Sequence, residues 1–156
     1  SGRVFLIDVA REMMRTLAWQ AEDEVAILFP TVPLRLAEDI QKSYQIFAEN
    51  QKQFPVASVC KYEYPIQTAL YVNDQGRLEP VFKEEYKKST RHDDQRETYR
   101  ANYAVVWNTV KQYLSQEKLI GVNSIPYFMP LERSVDIDED YQVKIAELLL
   151  RDRDGK

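Results

Sequence analysis

The chain has 156 residues, 44% of them hydrophobic, and its 21 basic and 25 acidic side chains leave a formal charge of −4. That length supports one core rather than two independent domains, and an acidic balance without a basic run interleaved with aromatics argues against a nucleic-acid surface. The longest apolar run is too short to cross a bilayer, the N-terminus lacks the order of a signal peptide, and the single Cys60 excludes an internal disulfide or a cysteine-based zinc cluster. The expectation is a soluble, cytoplasmic protein with a buried thiol.

From Val4 to Trp19, the residues Phe5, Leu6, Val9, Met13, Leu17 and Ala18 recur at helical spacing, with Asp8, Arg11, Glu12 and Arg15 between them. This predicts a two-sided helix in which Met13 and Met14 fill core. Glu24 to Phe29 is a short apolar run ending at Pro30, the pattern of a strand covered on both faces in a parallel sheet. In open α/β sheets ligands lie beyond the carboxyl ends of strands, so Pro30 to Arg35 is a candidate binding loop, stiffened by two prolines and offering donors from Thr31 and Arg35. An ordinary proline-stiffened connection would look the same.

Leu36 to Asn50 reads as a helix with Leu36, Ile40, Tyr44 and Phe47 on one face, followed after Pro55 by a second buried strand, Val56 to Cys60. Strand, crossover helix and strand predict a right-handed parallel unit. Thr68 to Val72 and Arg77 to Phe82 flank an Asn-Asp-Gln-Gly turn and predict a hairpin, which leads into the charged stretch from Lys83 to Arg100. Tyr103 to Trp107 predicts a strand returning to the sheet, and Val110 to Leu114 a short helix. Leu119 to Val122 and Ile125 to Met129 are apolar runs broken by Asn123-Ser124. The expected organisation is one domain over residues 1–150, with 64–100 as a hairpin excursion and 151–156 as a frayed tail.

Arg133-Ser134-Val135-Asp136-Ile137-Asp138 then enters a helix with Tyr141, Ile145, Leu148 and Leu149 on one face. In an extended segment Asp136 and Asp138 share one side and repel unless a cation lies between them, and hard oxygen ligands of this kind suit Mg²⁺. The competing reading is that Asp138 N-caps the helix while Glu139 and Asp140 favour its positive end.

The segment from Ile27 to Ile40, with Phe29-Pro30-Thr31-Val32-Pro33-Leu34-Arg35 at its centre, resembles the Leu-Gln-Pro-Thr-Ser-Pro-Leu-Arg segment of the acylneuraminate cytidylyltransferases. Arg133 to Asp138 resembles their Arg-Ser-Val-Asp-Ile-Asp segment, and Tyr64-Pro65-Ile66-Gln67-Thr68-Ala69-Leu70 is similar to a segment of the branch that activates pseudaminic acid. The resemblance implies an α/β, Rossmann-like nucleotidyltransferase fold (nucleotide-diphospho-sugar transferase type), with a mostly parallel sheet, helices on both faces and a protruding hairpin arm. It implies transfer of CMP from CTP to a nonulosonic acid, Mg²⁺ held by Asp136 and Asp138, substrate contacts from Thr31, Arg35, Arg91, Asp94 and Tyr99, and a homodimer formed through the arm. Family members open with a glycine-rich, lysine-bearing loop for the CTP phosphates. The four glycines of this chain, Gly2, Gly76, Gly121 and Gly155, stand singly, so it is expected to correspond to the C-terminal part of such an enzyme and to be inactive by itself.

Three departures accompany the match. Phe29 replaces the family's sugar-contacting glutamine, Asp93 replaces a glutamine beside Arg91 and Asp94, and Tyr103 stands where relatives carry glycine. They motivate an alternative, a divergent binding or assembly subunit that keeps the fold without the chemistry. His92, in the same segment as Arg91, reads as a loop histidine rather than a base, since no partner for it is visible in the sequence.

Overall fold

β-Branched and small apolar residues dominate the segments that become the sheet, and helical periodicities fill the intervals between them. The computed structural model describes residues 5–88 and 96–155. In chain order these form α1 (Leu6–Thr16), β1 (Glu24–Ile27), α2 (Ala37–Glu49), β2 (Val56–Lys61), β3 (Leu70–Val72), β4 (Leu78–Pro80), α3 (Lys83–Lys88), β5 (Tyr99–Thr109), α4 (Val110–Ser115), β6 (Ile125–Phe128) and α5 (Asp140–Arg153). Two units result, one from the residues up to Val59 with those from Ala101 onward, the other from Cys60–Arg100.

The first unit is a mixed α/β layer structure around a sheet of order β1-β5-β2-β6. β2 runs parallel to β6, with Val56 opposite Ile125 and Val59 opposite Phe128, whereas β1 runs antiparallel to β5, with Glu24 opposite Thr109 and Ile27 opposite Val106. The expected placement of β1 within a mostly parallel sheet is therefore corrected, because its neighbour is the antiparallel β5, which lies between β1 and β2. Burial accounts for the order. Ala104, Val105 and Val106 of β5 are fully buried and suit a central strand, while all four residues of β1 stay partly exposed, as an outer strand permits.

Core lies on both faces of β5. Val105 packs with Val32, Phe47, Val56, Tyr127 and Met129, whereas Val106 packs with Ile7, Met14, Val110, Tyr113 and Leu119, as strand alternation requires. Helix α2 thus covers one face, and α1 and α4 the other. A capping box starts α4: Gln112 N–H donates to Thr109 Oγ1, and Thr109 N–H donates to Gln112 Oε1. The Gln112 amide also donates to the carbonyls of Lys52 and Gln53, fastening the loop before β2.

Two helices present faces other than those expected. On α1 the buried residues are Ile7 and Met14, while Phe5, Leu6, Val9, Met13 and Leu17 are exposed, so Met14 fills core and Met13 does not. On α2 the buried positions are Asp39, Ser43 and Phe47, and Tyr44 is exposed. A hydrophobicity count misplaces this face because two of its positions are polar and satisfied internally. Ser43 Oγ accepts from Trp107 Nε1 at 3.0 Å, and Asp39 takes three donors described below. Helix α5 buries Ala146 and runs through Arg153, past the point where fraying was expected. Among the described residues no helix is long and apolar enough to cross a membrane.

The unit Cys60–Arg100 contains the β3–β4 hairpin, in which Leu70 faces Pro80 and Val72 faces Leu78. Its turn is set by Asn73, whose Oδ1 accepts from the N–H groups of Gln75 and Arg77, and by Gly76 at φ +71°, a left-handed position that glycine adopts without steric cost. Glu79 accepts from Tyr71, Asn73 and Lys83, and Lys61 pairs with Glu97. The Cys60 thiol is free and buried, with 1% of its surface exposed.

Candidate active site

The chain leaves β1 at Leu28 and turns through Pro30-Thr31-Val32-Pro33 before α2. Val32 and Leu34 are buried and pin this loop, while the prolines face outward. At its end Asp39, one turn into α2, reaches back so that its Oδ2 accepts the Leu36 N–H at 2.7 Å. Its other oxygen accepts from Tyr127 Oη at 2.8 Å and from Arg133 Nη2 at 2.7 Å. Asp39 is completely buried, and the Arg133 side chain is only 26% exposed. Burial first, and the hydrogen bond to Asp39 second, push the Tyr127 hydroxyl up to about 12, so Tyr127 remains a donor throughout the physiological range.

Through this hub the two outer motifs of the chain meet. Arg133 is tied to α2, and Ile137 N–H donates to the Thr31 carbonyl at 2.8 Å. Ser134 is held by Asn102 of β5, whose Nδ2 donates to Ser134 Oγ at 2.8 Å, and Ser134 Oγ donates to the Pro130 carbonyl at 2.7 Å. Asn102 is itself fully buried, and its Oδ1 accepts from Ala104 N–H. The loop after β1, the middle of β5 and the segment 130–138 therefore form one hydrogen-bonded cluster.

Within it Asp136 is partly buried and Asp138 is exposed. Asp136 Oδ1 is buried and has no hydrogen-bond partner, and Arg133 Nε is in the same condition. A buried carboxylate oxygen without a donor is costly and calls for a cation or proton. Its chemistry fits Mg²⁺, which is commonly bound by one or two carboxylates with water and phosphate oxygens completing the shell. Among the described residues no group of three or more His, Cys, Asp or Glu side chains gathers to form an all-protein cage.

The capping role considered for Asp138 is not observed. Glu139 is the N-cap of α5, and the side chain of Gln142 reaches back to accept from the N–H groups of Asp138 and Glu139, at 2.8 and 2.6 Å. A capping Asp138 carboxylate would instead have accepted from the N–H of Asp140 or Tyr141.

The remaining site residues divide. Thr31 joins the cluster through its carbonyl. Arg35 braces the scaffold, its Nη1 donating to the carbonyls of Phe29 at 2.6 Å and Ala104 at 3.2 Å. Tyr99 belongs to the second unit, where its hydroxyl donates to Glu97 at 2.8 Å. Arg91 and Asp94, with His92 and Asp93, lie outside the described residues. Asp39 is the residue that sequence reasoning missed. Its acidic position in the first turn of α2 was its only signal, and that signal is shared by ordinary helix starts.

No family profile matches the chain. It is 30% identical to pseudaminic acid cytidylyltransferases of two Campylobacter jejuni strains, over 132 residues that cover 85% of this chain and 56% of each relative. It is 27% identical to the N-acylneuraminate cytidylyltransferase of an Escherichia coli O18:K1:H7 strain, over 80% of this chain and 29% of that protein. The chain spans about half the length of the first two relatives. Over most of its length the chain is thus a homologue of the acylneuraminate and pseudaminic acid cytidylyltransferases.

Proposed function

We propose that the protein carrying this chain transfers CMP from CTP to a nonulosonic acid of the sialic or pseudaminic type. The anomeric hydroxyl oxygen of the sugar acid bonds to the α-phosphorus, the bond from that phosphorus to the bridging oxygen breaks, and pyrophosphate leaves as the hydroxyl proton is lost. The observation that carries this reading is the convergence of the loop after β1 with the segment of Asp136, through Ile137 N–H to the Thr31 carbonyl and Arg133 to Asp39. Preorganised positioning of this kind supplies much of the catalysis in phosphoryl-type transfers.

Asp136 and Asp138 would hold Mg²⁺, which when bound neutralises charge developing at the α-phosphate and lowers the pKa of the attacking hydroxyl. Asp39 and Asn102 position, fixing Arg133 and Ser134, while Arg35, which braces the loop backbone through Nη1, stands with Arg91 as a candidate for the substrate carboxylate. Arg91 is assigned to the substrate carboxylate, which a guanidinium fork pairs bidentately, and Thr31, Asp94 and Tyr99 to further substrate contacts. A homodimer built through residues 64–100 belongs to the same reading.

The test is pyrophosphate release by the whole protein with CTP, Mg²⁺ and a panel of nonulosonic acids. Turnover supports the proposal. Binding of a sugar acid without turnover would favour the non-catalytic binding subunit. The 156 residues by themselves should not turn over CTP, because capture of phosphates by backbone amides needs several positions free of side chains in one loop, and the four glycines are scattered.

A further inference from the structure

Strand β5 interrupts its own alternation. Trp107 and Val105 face the α2 core and Val106 the α1 and α4 core, as a strand requires, but Ala104 joins Val105 on the α2 side and Tyr103 packs against the α1 and α4 core. The phase of the strand has slipped by one residue. Its neighbour records the same slip. The pairs from Glu24 with Thr109 to Ile27 with Val106 set a register that would bring Phe29 opposite Ala104, yet Phe29 N–H donates to the Tyr103 carbonyl at 3.3 Å. At the slip Tyr103 has φ +55°, a left-handed conformation that is costly for a bulky residue and persists only where the surroundings impose it. A slipped phase, a slipped register and a left-handed residue together define a β-bulge, a device that re-aims side chains.

A bulge removes backbone groups from the ladder, and here polar side chains take them up. Val105 N–H donates to Ser58 Oγ of β2 at 2.9 Å, Ala104 N–H donates to Asn102 Oδ1 at 3.2 Å, and the Ala104 carbonyl accepts from Arg35 Nη1 at 3.2 Å. Ser58 and Asn102 are completely buried, so water cannot replace them. The slip also decides where Asn102 points. With unbroken alternation from Val106, position 102 would face α1 and α4, away from residues 130–138. Instead its Nδ2 meets Ser134 Oγ at 2.8 Å and Met129 Sδ at 3.5 Å, on the side of the α2 core.

From this juxtaposition we infer that the bulge is a positioning device for the segment that carries Asp136, with Tyr103 and Ser58 as positioning residues. Tyr103 supplies the left-handed backbone that turns Asn102 toward Ser134, and Ser58 holds the amide that the bulge frees. The inference rests on the proposed function for what Asp136 binds. Ser134 lies two residues before Asp136, so a displacement of Asn102 passes along a short stretch of backbone to the carboxylate. Groups that orient a metal ligand from behind are worth roughly ten- to a hundredfold in metal affinity or activity.

The test is a substitution series at position 103 in the whole protein, read by Mn²⁺ binding in electron paramagnetic resonance, by kcat for pyrophosphate release and by a melting curve. Glycine and asparagine accept the left-handed backbone, alanine resists it and valine resists it most. All four remove the ring, so loss of the ring is common to the series. Tyr103→Gly and Tyr103→Asn should keep the Mn²⁺ affinity of wild type, whereas Tyr103→Ala and Tyr103→Val should lose roughly tenfold or more in affinity and in kcat. Ser58→Ala should act in the same direction. Where Tyr103→Val fails to fold, the comparison of Tyr103→Gly with Tyr103→Ala decides.

Mn²⁺ affinity that follows this order, without turnover in wild type, sustains the device and defeats the proposed transfer. Turnover in wild type, with Mn²⁺ affinity and kcat equal across the series and only the melting temperature moving, defeats the device and sustains the transfer. Absence of Mn²⁺ binding by wild type, with or without CTP, overturns the inference.

Discussion

The segments around Asp39 and the β3–β4 hairpin are both rich in polar contacts, yet they are built in opposite ways. Asp39 is wholly buried and joins residues distant in sequence, with Tyr127 88 positions and Arg133 94 positions away. Glu79 takes as many donors, but all come from within eight residues, and its ion pair with Lys83 is solvated. The difference is one of consequence rather than number. A buried long-range pair cannot be exchanged for water when a partner is lost, whereas an exposed local pair can.

The contrast can be broken at several points, and the largest expected effect lies at the chemistry. Asp136→Asn in the whole protein should reduce kcat by roughly a hundredfold or more, the range seen when one preorganised charge-stabilising group is removed. Thermal stability should hold or rise, since the amide removes charge from a buried oxygen that has no donor. Titrating activity against Mg²⁺ beside a melting curve checks both halves. Near-normal activity at low Mg²⁺ would remove Asp136 from the proposed metal site.

Asp39→Ala should act on the fold first. It leaves Arg133 without its buried partner and Tyr127 without its acceptor, a loss on the order of 3 kcal/mol, or roughly 10 °C in Tm for a chain of this size. Glu79→Ala, by contrast, should leave global unfolding unchanged. Denaturant melts of the two variants side by side decide the matter, and equal effects would erase the distinction between the regions.

The hairpin has its own expected remedy. Tyr64, Val72 and Leu78 are 74%, 65% and 67% exposed within one chain. Isologous contact between two copies is the common way to cover such a surface. Val72→Glu with Leu78→Glu should therefore move the sedimentation coefficient from dimer to monomer. A monomer in the unmutated protein at high concentration would count against the dimer.

The smallest effect is a titration. Hydrogen bonds from Asn73, then Lys83 and Tyr71, hold the Glu79 carboxyl down at about 2, against an ordinary value of 4.5. Because the folded value is the lower one, the contribution of Glu79 is complete above 4.5 and is lost as pH falls toward 2. NMR chemical shifts of the Glu79 side chain, followed from pH 6 to 2, should show a midpoint below that of a free glutamate. An ordinary midpoint would mean that the Asn73 and Tyr71 bonds do not persist in solution.

These regions also show what a sequence discloses. Strands β2 and β5, the hairpin and the helix after β1 are legible because apolar runs and the Asn-Asp-Gln-Gly turn report local preference directly. The motifs of the candidate site are legible too, as residue types in a recognisable order. The interposition of β5 between β1 and β2 is not legible, because strand order depends on contacts across the fold. The buried face of α2 misleads for a related reason. Asp39 and Ser43 score as solvent-facing until Arg133, Tyr127 and Trp107 are seen to satisfy them. On α1 the periodicity is correct but its phase is not, since two apolar stripes compete and the core takes the one that contains Ile7 and Met14.

Cys60 gives this protein a built-in clock. It is the chain's single thiol, and 1% of its surface is accessible, so a thiol reagent can reach it only when β2 opens. When closing outpaces labelling, the modification rate equals the intrinsic thiol rate multiplied by the open fraction, and it therefore reports the free energy of that opening. No probe needs to be engineered. One colorimetric trace measures the firmness of the strand beside β6, and repeating it with CTP or a sugar acid present would show whether a ligand tightens the sheet.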